Sequence, residues 1–140
     1  MPQKPPFENF AHDADIGVRG RGATLAQALA NAGRALTAVV TDPASVREVL
    51  SVEISCGAPD PETLLFDWLN ALVFEMATRR VLFARYDVKV EGSRLAARAF
   101  GEPVDVARHH PAVEVKGATW TALRIARERG AWVAECVVDV

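Results

Sequence analysis

Residues 9–22, NFAHDADIGVRGRG, decide how the fold starts, because their alternating side chains predict a β-strand. In an extended chain successive side chains point to opposite faces, so His12 lies on one face and Asp13 and Asp15 on the other. Two carboxylates on one face repel each other. They are tolerated if the face is solvated or if a cation is held there, and the stretch by itself leaves both interpretations open.

Two helices are predicted after this strand. Thr24, followed three residues later by Gln27, has the capping-box pattern of a helix start, and this helix should end before Pro43. A second helix should start where Asp60, an acidic cap, precedes Pro61 at the first helical position. Both helices carry apolar residues at three- and four-residue spacing. The stripe on the second helix is the wider one, which predicts that this helix supplies the largest share of the core.

The remaining segments alternate with a period of two, as strands do. The stretch 45–55, SVREVLSVEIS, predicts one strand. YDVKV and RLAARAF, joined at Gly92 and Ser93, predict a hairpin, and a loop is expected over residues 101–111. The stretch VEVKGATWTALRIA, a turn near residues 128–130 and the final AWVAECVVDV predict a second hairpin.

Adjacent hairpins favour the α+β class over a parallel α/β sheet. We expect two layers, with two helices packed on a largely antiparallel sheet of about six to seven strands. Residues 1–8 are expected to form a flexible N-terminal tail, and residues 9–140 a single domain.

The composition argues against disorder and membrane insertion. Half of the 140 residues are hydrophobic, which is enough for one core, and no apolar run approaches the roughly 20 residues that cross a bilayer. The formal net charge of −2 disfavours non-specific nucleic-acid binding, although Arg19 and Arg21 leave a local basic patch open. Cys56 and Cys136 are expected to be free thiols in a reducing compartment. We therefore expect a cytoplasmic protein without membrane contact.

The last predicted strand ends in a second pair of acidic groups. Asp139 precedes Val140, so a side-chain carboxylate and the carboxylate at the end of the sequence lie close together along the backbone. If the first strand lies beside this one, Asp15 joins them. Oxygen ligands of this kind suit hard divalent ions such as Ca²⁺, Mg²⁺ or Mn²⁺. Exposed, solvated acids are the alternative to a metal site.

Other chemical signatures are few. His109 and His110 could bind a metal or shuttle protons, but in a charged loop exposed histidines are the simpler interpretation. Lys116 lies in an otherwise apolar stretch, where a lysine usually has an edge position or a partner. The sequence contains no nucleophile elbow and no acid-base pair, so we predict no catalytic residues.

Five separated segments resemble the archease family, in the same order and over nearly the full length. They are HDADIG at 12–17, DPETLLFDWLNAL at 60–72, RVLFARYDV at 80–88, GEPVDVARHHPAVEVKGATWTAL at 101–123 and WVAECVVDV at 132–140. The resemblance is specific because all five segments agree together.

The resemblance implies a function. Archeases are small α+β proteins that assist the RtcB-type RNA ligase, the GTP- and Mn²⁺-dependent enzyme that joins tRNA halves after intron removal. They promote guanylylation of the ligase histidine and permit multiple turnover without being ligases themselves. This protein would then be a non-catalytic ligase activator in tRNA splicing or RNA repair, and it would meet RNA only through the ligase.

The resemblance also implies a site. A divalent ion, typically calcium, with magnesium or manganese as alternatives, would be held by Asp15, Asp139 and Val140. Further candidates for contact with the partner are His12, Asp13, Glu102, Asp105, His109 and Lys116. Two positions depart from the family pattern: the usual threonine after the first histidine is Asp13 here, and the family's T-Y-H is replaced by T-W-T at 119–121.

Two other functions stay open. A stand-alone metal-dependent hydrolase would need an open coordination position and a general base, for which His109 is the candidate. A chaperone-like module that modulates several nucleic-acid-processing enzymes would favour a large exposed apolar patch.

Overall fold

The computed structural model describes residues 4–140 of the chain, and within them eight strands and three helices follow one another. A 3₁₀ turn at Pro43–Ser45 separates the first helix from the third strand. The elements are β1 (Phe7–His12), β2 (Asp15–Gly22), α1 (Leu25–Val40), β3 (Leu50–Gly57), α2 (Pro61–Arg79), β4 (Val81–Glu91), β5 (Arg94–Pro103), α3 (Val106–His109), β6 (Gly117–Ala118), β7 (Arg124–Glu128) and β8 (Ala131–Asp139).

The strands form two antiparallel sheets. The first sheet has the order β1-β2-β8-β6, with β7 also paired to β8, and the second has the order β3-β5-β4. The predicted α+β class is confirmed, as are the hairpins β4–β5 and β7–β8. The strands are divided between two sheets rather than joined in one, because α1 lies between β2 and β4 and separates them.

The stretch that was expected to form one first strand is a hairpin. His12 pairs with Asp15, and Asp13 and Ala14 form a two-residue turn between β1 and β2. Asp13 adopts a φ of 51°, a left-handed conformation that aspartate tolerates better than most residues. The two turn residues shift the alternation by one position, so His12 and Asp15, which were expected on opposite faces, share one face. The reversal removes Asp13 from the face on which Asp15 lies.

Helix α1 starts and ends as predicted. The Thr24 hydroxyl oxygen accepts a hydrogen bond from the N–H of Gln27 at 3.1 Å, which caps the helix, and the last helical residue is Val40. The helix lies close to β2 because Gly20 has no side chain: a Cβ there would lie 2.1 Å from the main-chain nitrogen of Ala32. Close packing on both sides buries nine residues of α1.

Helix α2 also starts as predicted, with a carboxylate oxygen of Asp60 accepting from the N–H of Thr63 at 2.7 Å. It buries six residues, all large and apolar, so the core is shared with α1 rather than dominated by α2. Trp68 is fully buried, and its indole N–H donates to the main-chain oxygen of Leu29 at 2.8 Å. That bond satisfies the one polar atom of a large core side chain.

The start of the chain and the loop after β5 differ from expectation in detail. β1 starts at Phe7, so Phe7 and Glu8 of the expected tail are strand residues, while residues 1–3 of that tail lie outside the described part. A single helical turn, α3, interrupts the expected loop.

Cys56 and Cys136 are free thiols, as predicted. Among the described helices, none has the length and apolar character needed to cross a bilayer.

Candidate metal centre

Strands β2 and β8 bring Asp15 and Asp139 together. Their ladder pairs Ile16 with Val138, and continuing it by one residue places Asp15 opposite Asp139, the last residue of β8. Opposed residues of antiparallel strands point to the same face, with Cβ atoms about 5 Å apart. The two carboxylates, which we call the acid pair, are therefore within reach of a common ion.

His12 continues the row of side chains across the sheet. It pairs with Asp15 in the β1–β2 hairpin, so its imidazole lies on the face of the acid pair. Asp13 does not: it stands at the tip of the hairpin with 95% of its side chain exposed, and its carboxylate lies 3.9 Å from Nδ1 of His12. Of the two aspartates in the opening stretch, the structure brings only Asp15 to the row.

Lys116 flanks the acid pair on the opposite side. β6 pairs Gly117 with Asp139, and the main-chain N–H of Lys116 donates to the main-chain oxygen of Asp139 at 2.8 Å. The lysine is exposed and precedes the two-residue β6, rather than lying inside the long strand that was expected. A compact ammonium in this place can neutralise a phosphate or a partner carboxylate.

The donors at this end of the sheet suit a hard divalent ion. Within residues 4–140 no three His, Cys, Asp or Glu side chains converge in a metal-binding geometry, so the acid pair would need oxygens of Val140 as a third source of ligands. Carboxylate and main-chain oxygens are ligands of Ca²⁺, which takes six to eight of them. Asp139 is exposed and Asp15 half-exposed, which leaves the remaining positions open to water or to a partner.

The residues of the G-E-x-x-D-x-x-x-H stretch form a separate cluster, which we call the Glu102 clasp. The Glu102 carboxylate contacts the Arg108 guanidinium, accepts from the N–H of Arg47 at 2.5 Å and bonds Nε2 of His109 at 3.1 Å. The N–H of Asp105 donates to Nδ1 of His109 at 2.8 Å. Because Nδ1 is an acceptor, the ring proton is on Nε2 and is donated to Glu102.

Burial and charge give this clasp a structural role. His109 is 3% and Glu102 5% exposed, so the expectation that His109 is exposed is wrong, whereas His110 is exposed. The Arg108 guanidinium, with the Arg47 N–H, lowers the pKa of Glu102 to about 2. Both ring nitrogens of His109 are engaged within the protein, so the hydrolase alternative loses its candidate base.

Sequence reasoning placed Glu102, Asp105 and His109 among the contacts with a partner, and it did not identify α3. This helix is a single turn, too short for a periodic pattern. The signal that could have found it is Asp105, whose carboxylate caps the turn by accepting from the N–H of Arg108 at 3.3 Å.

The Glu102 clasp and the acid pair lie at the same end of the molecule. Along α1, Ala28 and Ala32 lie at the level of Gly20, and the carbonyl of Ala35 accepts from the side chain of Asn9 at 2.9 Å. The end of α1 therefore reaches the level at which β2 begins. The clasp is fixed there because the Thr41 hydroxyl donates to the main-chain oxygen of His109 at 2.6 Å.

The basic patch that the sequence left open is neutralised. Arg19 pairs with Glu8 at 2.7 Å and with Glu135 at 2.8 Å, and Arg21 pairs with Glu8 at 2.9 Å. Arg124 also pairs with Glu135, at 2.8 Å. Each of these cations has an acidic partner on the same sheet, which disfavours a nucleic-acid site on this face.

Sequence comparison gives a consistent family assignment. The model of the archease protein family matches residues 7–140. A protein archease of Methanopyrus kandleri is 37% identical over 139 residues, which cover 96% of this chain and 99% of that protein. A protein archease of Pyrococcus furiosus is 32% identical over 139 residues, with 96% and 98% covered.

Solved structures agree with this assignment. A solution structure of a protein from Methanobacterium thermoautotrophicum matches with a TM-score of 0.85 at 29% identity, covering 96% of this chain and 99% of that one. A crystal structure from Thermotoga maritima, described as an archease and possible chaperone, has the same fold with a TM-score of 0.59 at 18% identity, covering 100% and 98%. The chain therefore belongs to the archease family.

Proposed function

We propose that this protein is a non-catalytic cofactor of an RtcB-type RNA ligase, which it activates by promoting guanylylation and multiple turnover. Membership of the archease family supports this function. The proposal places the protein in the cytoplasm, where it would meet RNA through the ligase.

The observation that carries the proposal is the position of the acid pair. Asp15 and Asp139 lie opposite each other at the end of the β2–β8 ladder, with His12 on one side and Lys116 on the other. The side chains of His12, Asp15 and Asp139 form a row on one face, and Lys116 lies one residue before the paired Gly117. Ionisable groups at an exposed end of a sheet can contact the active-site mouth of another enzyme. The acid pair with Val140 would hold the divalent ion, which we propose to be calcium, with magnesium or manganese as alternatives.

Activation without catalytic residues requires selective binding. A protein accelerates another enzyme when it binds the reactive conformation more tightly than the resting one. When bound, the ion would supply positive charge that phosphate oxygens can approach. The chain's own groups would have two roles. The acid pair would hold the ion in place, and the Lys116 ammonium would attract a phosphate or a partner carboxylate.

The test is the rate at which the covalent guanylate adduct forms on the purified ligase with GTP and Mn²⁺. We expect the wild-type protein to accelerate adduct formation, and Asp15→Asn and Asp139→Asn to reduce that acceleration at least tenfold, a difference of about 1.4 kcal/mol in barrier. Asp87→Asn is the matched control, because it removes the same charge from a side chain that is 64% exposed on β4, in the second sheet.

Two results would contradict the proposal. Wild-type protein that leaves adduct formation unchanged would exclude ligase activation. Folded Asp15→Asn and Asp139→Asn variants that activate as well as wild type would exclude the acid pair from the mechanism.

A second candidate function is a chaperone-like module that binds several nucleic-acid-processing enzymes. The observation in its favour is the exposure of two large aromatic side chains, Phe74 and Trp120, each 62% exposed. Affinity capture with the full chain as bait separates the candidates: capture of the ligase alone supports the activator, whereas recovery of several unrelated enzymes supports the module.

A further inference from the structure

We propose that the outer side of α2, with Trp120 beside it, is the surface on which the RtcB-type ligase docks. The inference rests on the proposed function and names the second point of contact that this function requires. We call this surface the aromatic strip, and its members are Phe66, Phe74 and Trp120.

The aromatic strip exposes large apolar area in an ordered arrangement. The ring of Trp120 stacks on that of Phe66 with 4.0 Å between centroids and 10° between planes. Trp120 and Phe74 remain 62% exposed. Aromatic anchors of this kind carry much of the binding energy in protein interfaces.

The side of α2 that faces away from the core has few charges. Its positions on the helical wheel are Thr63, Phe66, Asp67, Asn70, Ala71, Phe74, Ala77 and Thr78. Asp67 is the charged member of this set. Four of these eight positions are polar, but only one is charged, whereas a surface helix usually carries several charged residues on its outer side. With Phe74 exposed among them, this side suits contact with another protein surface.

The aromatic strip leads to the acid pair. Trp120 lies over Phe66, and the N–H of Ala118 donates to the Asn70 side chain at 2.9 Å, so the segment 117–120 runs antiparallel to α2. Extended chain advances about 3.3 Å per residue and helix about 1.5 Å, so two strand residues match one helical turn. Continued by one step beyond β6, this spacing would place Lys116 at the level of Phe74.

This spacing joins the aromatic strip to the candidate metal centre. Gly117 pairs with Asp139, and Lys116 lies just before Gly117. A standard protein interface buries about 800 Å² on each partner, whereas the strip is about 12 Å long between Phe66 and Phe74. An interface of that size centred near Lys116 can therefore cover both the acid pair and the strip.

Trp120 is held in place before any partner binds. The hydroxyl of Thr119 donates to the main-chain oxygen of Val137 at 2.8 Å and accepts from the N–H of Thr121 at 3.1 Å. The N–H of Val137 in turn donates to the main-chain oxygen of Thr121 at 3.1 Å. An anchor ordered in advance loses little conformational entropy on binding.

Charge identifies the partner as the ligase rather than RNA. Without a bound ion, the carboxylates of Asp15, Asp139 and Asp67 outnumber the Lys116 ammonium at this surface and disfavour the phosphates of RNA. An enzyme that binds GTP and RNA presents cations around its active site, and those cations complement an acidic rim. The aromatic strip would then supply affinity, while the acid pair orients the complex.

The test measures the dissociation constant of the full chain for the purified RtcB-type ligase by titration calorimetry. We expect Phe74→Ala and Trp120→Ala each to raise it at least tenfold, on the scale of a truncated aromatic anchor, and Trp120→Phe to restore most of the affinity. The lost stimulation should return at higher concentrations of the variant. Val49→Ala is the matched control, because Val49 is 69% exposed and directly precedes β3, in the second sheet.

The outcomes separate this inference from the proposed function. Wild-type affinity in folded Phe74→Ala and Trp120→Ala variants would overturn it, as would self-association of the wild type that these variants abolish without weakening ligase binding. Absence of any ligase binding by the wild type would overturn the docking surface and the proposed function together. Binding that depends on the strip but does not accelerate adduct formation would uphold docking and overturn activation.

Discussion

At the end of the molecule that carries the acid pair and the Glu102 clasp, some side chains are bonded within the protein and others are available to a partner. Glu102 and His109 form their hydrogen bonds within the Glu102 clasp. Asp139 and Lys116 are exposed, with side chains that a partner can reach. The same family pattern marks both kinds, so the pattern combines residues that support the end of the sheet with residues that are free to act.

Glu102 should make stability depend on pH in the acid range. Its pKa is lowered from 4.5 to about 2 in the folded protein, chiefly by Arg108. The folded state therefore gains stability above pH 4.5 and loses it as the pH falls towards 2. We expect the free energy of unfolding of the wild type to fall more steeply over this range than that of Glu102→Gln, as measured by urea unfolding at successive pH values. Equal slopes would contradict the role of Glu102.

His109 should matter for stability more than its neighbour. His109→Ala removes one of the three partners of the buried Glu102 carboxylate and leaves the N–H of Asp105 without its acceptor, which should cost about 2 kcal/mol or more. His110→Asn is the control, because His110 is exposed and its φ of 48° is one that asparagine tolerates. Chemical denaturation measures both variants, and equal losses would show that the clasp is not a stabilising unit.

At the scale of elements, α1 determines the architecture because it packs against β2 on one side and β4 on the other. Tyr86 of β4 donates from its hydroxyl to the main-chain oxygen of Gly33 at 3.1 Å, and the Thr37 hydroxyl donates to the main-chain oxygen of Phe83 at 2.9 Å. These buried bonds tie the helix to the second sheet, as Gly20 allows it to approach the first.

The contact between α1 and β2 should tolerate no side chain at Gly20. In Gly20→Ala the new Cβ would lie within 2.3 Å of main-chain atoms of Ala32 and Ala28, so the helix must move. We expect a loss of about 3 kcal/mol in the free energy of unfolding. Gly57→Ala is the matched control in a strand, because its nearest neighbour would be 3.7 Å away. Similar losses in both variants would show that helix contact is not the cause.

At the scale of the whole molecule, the acid pair connects the beginning of β2 with the end of β8. An ion bound there would be bound by the folded chain and not by the unfolded one, because the two aspartates meet only through the sheet. Its binding free energy would therefore add to folding stability.

Calcium should raise the melting temperature of the wild type. At a concentration 100-fold above the dissociation constant, the gain is about 2.7 kcal/mol. Asp139→Asn should show little or none of this shift, whereas Asp13→Asn should keep it. Differential scanning calorimetry with calcium and with a chelator measures the effect, and an equal shift in Asp139→Asn would exclude the acid pair as the ion's site.

The sequence by itself determined the elements whose signals are local. Caps at Thr24 and Asp60 fixed the helix starts, and turn residues fixed two hairpins, because these signals act over a few residues. The acid pair was anticipated from Asp15 and Asp139 only on the condition that their strands are neighbours.

Tertiary structure alone decided the rest. The turn at Asp13 and Ala14 lacks the Asn-Gly or Asp-Gly signature of a two-residue hairpin and was therefore not recognised. The division into two sheets depends on where α1 packs. The burial of His109 depends on its contacts with Glu102 and with Thr41 at the end of α1. Local patterns specify which side of an element faces inward, but which elements meet there depends on contacts between residues distant in the chain, and no short stretch encodes those contacts.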